Sequence, residues 1–356
     1  MANKSSEAMT VTDERVRYIF NQMSEEYDDL RDLWYAWLFS RLHFLISKNV
    51  IAQWEPTPRK VLDVGCGTGL QSFLYALSGS EVTGIDISDE LVGVARRKAE
   101  FFRKEFPCSL FEPHFPFVSR YDRRVAALLG PKFESLAYTP PIFGCADAVQ
   151  LPYEDNSFDH VSCCGSTLNF IDNYQKALKE MSRVLKPGGS FALEVDAKYN
   201  FDLLWTVLDP VLFGAMHFET TLREALGALF SSPKAHIAVQ YPFGNDENPV
   251  YMDLRLFTRK GLVEDLAACN LKSEQVFSIH SITNLIPSTF LDDANPSGKL
   301  VRLFAVLGWI EERLFFYVPG CSVVIFGRKP RPLDNAIAPS SEDAPRTTFT
   351  SQLRSH

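Results

Sequence analysis

Asp63, Gly65, Gly67 and Gly69 stand together in the run Val61-Leu-Asp-Val-Gly-Cys-Gly-Thr-Gly69, and Asp86 closes the next apolar run 23 residues after Asp63. Glycines in a turn between strand and helix let the backbone come close to a ligand, beyond the C-termini of parallel strands where ligands bind. The spacing is G-x-G-x-G. A dinucleotide fingerprint, G-x-G-x-x-G, needs glycine at position 70, where Leu70 stands. That fingerprint seats a pyrophosphate on a helix N-terminus. A carboxylate at Asp63 repels such an anion and suits a cation, for example a sulfonium bearing an amino-acid ammonium group. Asp86 lies where a carboxylate can accept both hydroxyls of a ribose.

These residues must be held by parallel βαβ units, because strand, turn and helix repeat around them. Lys60 to Val64 reads as a strand that enters the glycine turn, with a helix from about Leu70 to Leu77. A second strand, Val82 to Ile85, leads through Ser88, an expected N-cap, into a helix from Asp89 to about Arg103. The rhythm resumes with strands at Ile142 to Cys145, Phe158 to Cys163 and Ser190 to Val195, a helix at Asp172 to Leu185, and a turn at Lys186 to Gly189. The closing portion gives a helix at Thr258 to Cys269, a strand near Glu274 to Ile282, a helix around Leu300 to Phe315 and a strand at Ser322 to Phe326. Two stretches interrupt it, at about 105–141 and 196–253, and read as insertions; the second carries helical pieces and a Pro-Phe-Gly-Asn turn. Residues 13–54 form a helical cap by their apolar spacing, and 1–12 and 330–356 lack such periodicity and are expected to be disordered. The core domain is then 55–329.

The 356 residues carry 36 Lys+Arg and 44 Asp+Glu, a net charge of −8, so no basic field draws in nucleic acid. Seven scattered cysteines without CxxC spacing read as reduced thiols in a cytoplasmic setting, and no metal constellation is visible. No run is long and apolar enough for a transmembrane segment, and residues 1–17 read as no secretory signal. Leu33 to Ile51, with Arg41, His43 and Lys48 among bulky apolar residues, leaves open a peripheral membrane contact beside the simpler reading of helices packed on a sheet.

The motifs VLDVGCGTG (61–69), GIDIS (84–88), CADAVQLPYEDNSFDHV (145–161), LKPGGSFALEV (185–195) and RLFTRKGLVEDLAACNL (255–271) resemble the class I S-adenosylmethionine-dependent methyltransferases. The nearest branch contains the ubiquinone and menaquinone C-methyltransferases and small-molecule N- and O-methyltransferases. The resemblance implies a Rossmann-like α/β fold, a seven-stranded mostly parallel sheet with helices on both faces, carrying the cap and the two insertions. It implies S-adenosyl-L-methionine as cofactor. Asp63, Gly65, Gly67 and Gly69 would hold its methionine part, Asp86 and Ile87 its ribose and adenine, and Asp147 with Ala148 its adenine amino group. Cys164 and Gly165 would floor the sulfonium, and Tyr27 would cover the cofactor carboxylate. Asp147 read without the family is equally a turn or helix cap.

Methyl transfer from a sulfonium is an in-line displacement with a good leaving group, so alignment and a dry site matter most, and no side chain is singled out as a base. The acceptor would meet Trp34, Ser166, Asn169, Tyr199 and His217. Aromatic residues are 13% of the chain and crowd the cap and the second insertion, which points to an apolar or aromatic small-molecule acceptor methylated on C or O. Two other readings stay open: N-methylation of a small amine or amino-acid-like acceptor, and a cofactor-binding protein without catalysis. Histidines 217, 236 and 280 border the acceptor region or are structural.

Overall fold

The computed structural model describes residues 11–24, 28, 31–106, 108–110, 112–209, 221–243, 250–291, 295–313 and 319–332. Tyr27, His217 and the two chain ends expected to be disordered, save residues 11–12 and 330–332, lie outside them.

Two helices come first, α1 (Val11–Met23) and α2 (Leu33–Asn49). Then β1 (Lys60–Val64), α3 (Leu70–Ala76), β2 (Glu81–Asp86), α4 (Asp89–Phe101), α5 (Pro116–Phe133), β3 (Ile142–Cys145), β4 (Phe158–Cys163), α6 (Tyr174–Val184) and β5 (Leu185–Asp196) follow. The remainder is α7 (Phe201–Leu208), α8 (Leu222–Phe230), β6 (Ile237–Phe243), β7 (Val250–Leu256), α9 (Arg259–Ala268), β8 (Lys272–Ile279), α10 (Ser288–Leu291), α11 (Gly298–Glu311) and β9 (Ser322–Arg328). Short polar side chains start the helices by taking up orphan N–H groups. Asp32 accepts from Tyr35 N at 2.7 Å at the head of α2, and Ser88 accepts from Leu91 N at 3.1 Å at the head of α4. Pro116 begins α5, where a missing N–H costs nothing.

Seven strands form one sheet in the order β3-β2-β1-β4-β5-β9-β8. The first five are mutually parallel and β9 runs antiparallel to both neighbours. β1 is flanked by β2 on one side and β4 on the other, so the chain's winding reverses there and a crevice opens beyond its C-terminal end. Alternation along each strand divides the sheet into two faces. Val61, Val82, Ala192 and Val324 pack under α2, α3, α5 and α11. Leu62, Val161, Leu193 and Ile325 pack under α6 and α9.

The Lys186–Gly189 turn is not a separate element. Leu185 pairs with Phe158 and Ser190 with His160, so the intervening residues are taken into β5 as a wide bulge, with Gly188 at φ +83°. The second insertion holds a strand pair the sequence reading did not separate, the antiparallel ribbon β6–β7. Its signal was present: Met252 and Leu254 are buried while Asp253 between them is exposed, a period of two.

α2 is interior on nearly every side, with Arg41, His43 and Ser47 buried alongside its apolar residues. Leu33 to Ile51 therefore has no free apolar face to insert into a membrane surface in the folded chain. The cap aromatics are also core. Trp37 meets Phe117, Tyr121 and Phe304 edge-on at 5.3, 5.8 and 5.5 Å between centroids. No helix among the described residues is long and apolar enough to cross a membrane, and all seven cysteines are free.

Candidate active site

The turn after β1 lies over the crevice with Gly65, Gly67 and Gly69 at φ +68°, +51° and +91°, values a residue with a Cβ avoids. Gly65 has a second reason to be glycine: a Cβ there would fall 2.1 Å from Thr167 Cγ2. Asp86 holds this turn by accepting from Gly67 N at 2.9 Å and from Ser88 N at 2.9 Å. Burial pushes its carboxyl up from the ordinary range, and those backbone bonds hold it back.

A cleft enclosing about 690 Å³, open mouth included, is lined by Gly65, Gly67, Asp86, Ile87, Asp147, Ala148 and Gly165. All seven were expected from the sequence. Val16 and Phe20 of α1, Leu91 of α4, and Thr167, Phe170 and Ile171 after β4 complete its walls; Phe20, Thr167 and Phe170 fall in the cap and the loop after the fourth strand, where the acceptor is expected, whereas Val16, Leu91 and Ile171 were not foreseen. Phe20 and Phe170 meet edge-on at 5.4 Å across it. α1 is fastened over the crevice by Arg17 and Asn21. Arg17 Nη2 lies 2.9 Å from Asp89 Oδ1, and Asn21 Oδ1 accepts from Ser88 Oγ at 2.6 Å. Gly165, at φ +76°, has open space where a Cβ would stand, so the cleft keeps its width there.

Other expected residues lie elsewhere. Asp63 is 1% exposed, beneath the cleft, and accepts from Ser72 Oγ at 2.6 Å. Its carboxyl is pushed up to about 7 by burial first, with Ser72 and Ser162 opposing. Gly69 begins α3 and is covered by Phe143 and Phe73. Cys164 is buried below the cleft, 3.7 Å from Ser162 Oγ. Asn169 is bonded to backbone: its Nδ2 donates to Arg255 O at 2.6 Å and its Oδ1 accepts from Asp196 N, which ties the loop after β4 to β5 and β7. Trp34 stacks flat on His280 at 3.8 Å, inside the cap packing. Lys198 sits over the Tyr199 ring at 4.7 Å, and His236 is fixed between Asp265 and Thr258 N. Asp147 accepts from Val149 N at 2.9 Å, which makes it a turn cap as well as a cleft residue.

Two acidic features escaped the sequence reading. Asp28, next to Tyr27 in the run Ser24-Glu-Glu-Tyr-Asp28, reaches the glycine turn, accepting from Thr68 Oγ1 at 2.5 Å and from Lys98 Nζ at 2.7 Å. Its proximity to Tyr27 was the available signal. Glu194, buried, and Asp196, partly buried, sit at the end of β5 beside Ser166, whose N–H donates to Glu194 Oε2 at 2.8 Å. Burial raises both, Asp196 to about 8, with the Glu194 charge adding to it.

Asp28, Asp63 and Asp86 thus surround a turn whose amides are largely taken up, Cys66 N by Ile85 O, Gly67 N by Asp86 and Gly69 N by Cys66 O. Those carboxylates fit a ligand with a ribose diol and a cationic amino-acid arm, as S-adenosylmethionine has. Among the described residues no group of three or more His, Cys, Asp or Glu side chains is placed to hold a metal ion.

Two family models, each described as a methyltransferase domain, match residues 61–129 and 123–193. A demethylmenaquinone methyltransferase of Staphylococcus aureus strain JH9 is 32% identical over 182 residues, 49% of this chain and 58% of that protein; the same match recurs in strain MW2. The chain therefore spans little more than half the length of the curated relatives it matches. Among solved structures, the [4+2]-cyclase SpnF is 19% identical with TM-score 0.45, covering 82% of this chain and 81% of its own. A SAM-dependent methyltransferase from Methanosarcina mazei is 19% identical with TM-score 0.44, covering 77% of this chain and 93% of its own. Likenesses at that level carry no argument here. The matched segment holds the glycine turn, Asp86 and Asp147, and it winds through the parallel half of the sheet, so residues 61–193 are similar to a methyltransferase domain in sequence and carry its Rossmann-like sheet.

Proposed function

We propose that the protein transfers a methyl group from S-adenosylmethionine to a C or O atom of an apolar or aromatic small molecule. The cleft carries this reading: the acid and glycine residues of one wall face the apolar wall of Val16, Phe20, Phe170 and Ile171. S-adenosylmethionine supplies an electrophilic methyl on a sulfonium. Asp86 would hold the ribose, Ile87 and Ala148 would flank the base, and the glycine turn of 65–69 with the carboxylates below would hold the amino-acid arm. α1 closes over this arrangement and excludes water, which strengthens every electrostatic contact beneath it. The methylated quinone precursor in the relative's name supports an apolar acceptor.

Incubation with S-adenosylmethionine and a demethylated isoprenoid naphthohydroquinone, kept reduced, is expected to give S-adenosylhomocysteine, a released proton and a product heavier by one methylene. Turnover with a small charged amine in place of the quinone would select N-methylation. Cofactor binding without turnover on quinones, phenols or amines would leave a binding protein.

The pH dependence has a definite sign. Asp63 and Asp196 have folded values of about 7 and about 8 against the ordinary 3.8, so the folded chain keeps protons that the unfolded chain has released. Their stabilising contribution is complete below 3.8 and is lost as pH rises through 7 to 8. Thermal midpoints of the unliganded protein are expected to fall over that range, and Asp196→Asn to flatten the upper part. A cationic ligand favours ionised Asp63, so cofactor affinity is expected to rise by about tenfold as pH rises from below to above that group's titration. Calorimetric titrations at several pH values would show it, and Asp63→Asn should remove the slope.

A further inference from the structure

The chain is acidic, yet positive side chains converge at one place away from the cleft. A second cavity, about 720 Å³ with its open mouth, lies between α2, α5, β8 and the end of α11. Arg41, Lys48, Arg124 and Arg313 line it, and among the described residues the single carboxylate on its wall is Glu312. That carboxylate is already heavily used. Its Oε1 accepts from Arg120 Nη2 at 3.1 Å, from Arg124 Nη1 at 3.1 Å and from the Tyr121 hydroxyl. Arg124 Cζ lies over the Phe44 ring, 3.9 Å from its centroid, which restrains its guanidinium.

Arg41 is the decisive residue. It is 5% exposed, donates from Nη1 to Tyr121 Oη at 3.2 Å, and has no acceptor for its Nε. Arg120 likewise has a buried Nε without an acceptor. A guanidinium cannot shed its charge at any pH the protein meets, so burying one with an empty donor costs free energy unless a ligand anion completes it. Guanidinium groups present planar pairs of donors that match the oxygens of a phosphate. The excess of four lining cations over one shared carboxylate suits a dianion.

We infer that this cavity is a second ligand site, separate from the methyl-transfer cleft, that binds a phosphate-type dianion. Arg41 and Arg124 supply the directed donors, and Lys48 and Arg313 supply charge at the mouth. The phosphate is carried either by a soluble small molecule or by a lipid headgroup.

Isothermal titration of the full chain with inorganic phosphate and with pyrophosphate tests this. Binding is expected to weaken steeply with added sodium chloride, and Arg41→Gln and Arg124→Gln are each expected to weaken it by about tenfold or more. Arg124 is partly exposed, so its variant keeps the test valid if Arg41→Gln fails to fold; Arg259→Gln, on the other face of the sheet, should bind as wild type. Sedimentation with phosphatidylcholine vesicles, with and without phosphatidic acid, separates the sources. Retention on the acidic vesicles that the two variants abolish identifies a headgroup, whereas phosphate binding without retention identifies a soluble anion. Absence of binding to all three probes, or binding that both variants leave unchanged, overturns the site.

Discussion

Glu311→Ala should be among the most destabilising single substitutions in this chain. The side chain is buried and accepts five hydrogen bonds: Trp37 Nε1 at 3.1 Å, His280 N at 3.1 Å, Ile282 N at 2.9 Å, Thr283 N at 3.0 Å and Thr283 Oγ1 at 2.9 Å. It therefore joins α2, the turn after β8 and α11 at one point. Truncation leaves every one of those donors buried, and three of them are backbone groups that cannot turn away to water. Each such orphan costs about 1–3 kcal/mol, and allowing for relaxation the sum is about 4 kcal/mol, or on the order of 10 °C in Tm. Glu311→Gln keeps one carbonyl oxygen but sets an amide N–H₂ against the donors, so about half of that loss is expected. Differential scanning calorimetry would measure both. A midpoint within a degree or two of wild type for the alanine variant would show that water replaces the carboxylate and that the junction is not what fastens the cap.

The second large effect is on the cofactor. Asp86→Ala removes the acceptor for Gly67 N and Ser88 N, which shape the glycine turn, and removes the group aimed at the ribose diol. Two charge-assisted bonds at about 1.5–3 kcal/mol each, partly replaced by water, give a loss of about 100-fold or more in affinity for S-adenosylhomocysteine. Asp86→Asn separates the two causes. Its single carbonyl oxygen can serve one backbone amide but not a pair of hydroxyls, so the fold is kept and affinity still falls. Titration calorimetry with circular dichroism on both variants would show the difference. If Asp86→Asn binds as wild type, the ribose is not held there and the cleft takes its ligand in another orientation.

The glycine turn, the two acids and the alternation of strands and helices were all legible because they are local. A strand ending in Asp63-Val-Gly-Cys-Gly-Thr-Gly69 declares its own backbone conformation, and a period of two or of 3.6 declares which face is buried. The same logic located Ser88 as a cap and Asp86 at the ribose, whereas Ile87, Asp147, Ala148 and Gly165 were placed at the cleft by the resemblance to the methyltransferase family. It did not reach bonds to partners far along the chain. Asn169 reads as a polar group facing an acceptor, and the fold bonds it to the backbone of Arg255 and Asp196. Trp34 reads as a pocket aromatic until His280 stacks on it from 246 residues away. The excess of aromatics, taken as a sign of an acceptor pocket, divides in the fold: Trp37, Phe117, Tyr121 and Phe304 make cap core, and Phe20 and Phe170 reach the cleft.

By itself the sequence determined the backbone of the glycine turn, the parallel units that carry it and their likeness to a methyltransferase domain, since those depend on spacing within a few residues. Only the tertiary structure decided that Asp63 lies beneath the cleft, that α1 walls it, that Glu311 ties the cap together, and that Arg41, Lys48, Arg124 and Arg313 meet around one carboxylate. Burial and charge convergence are properties of neighbours in space, and chain order fixes those neighbours only after the sheet has brought its distant strands and helices together.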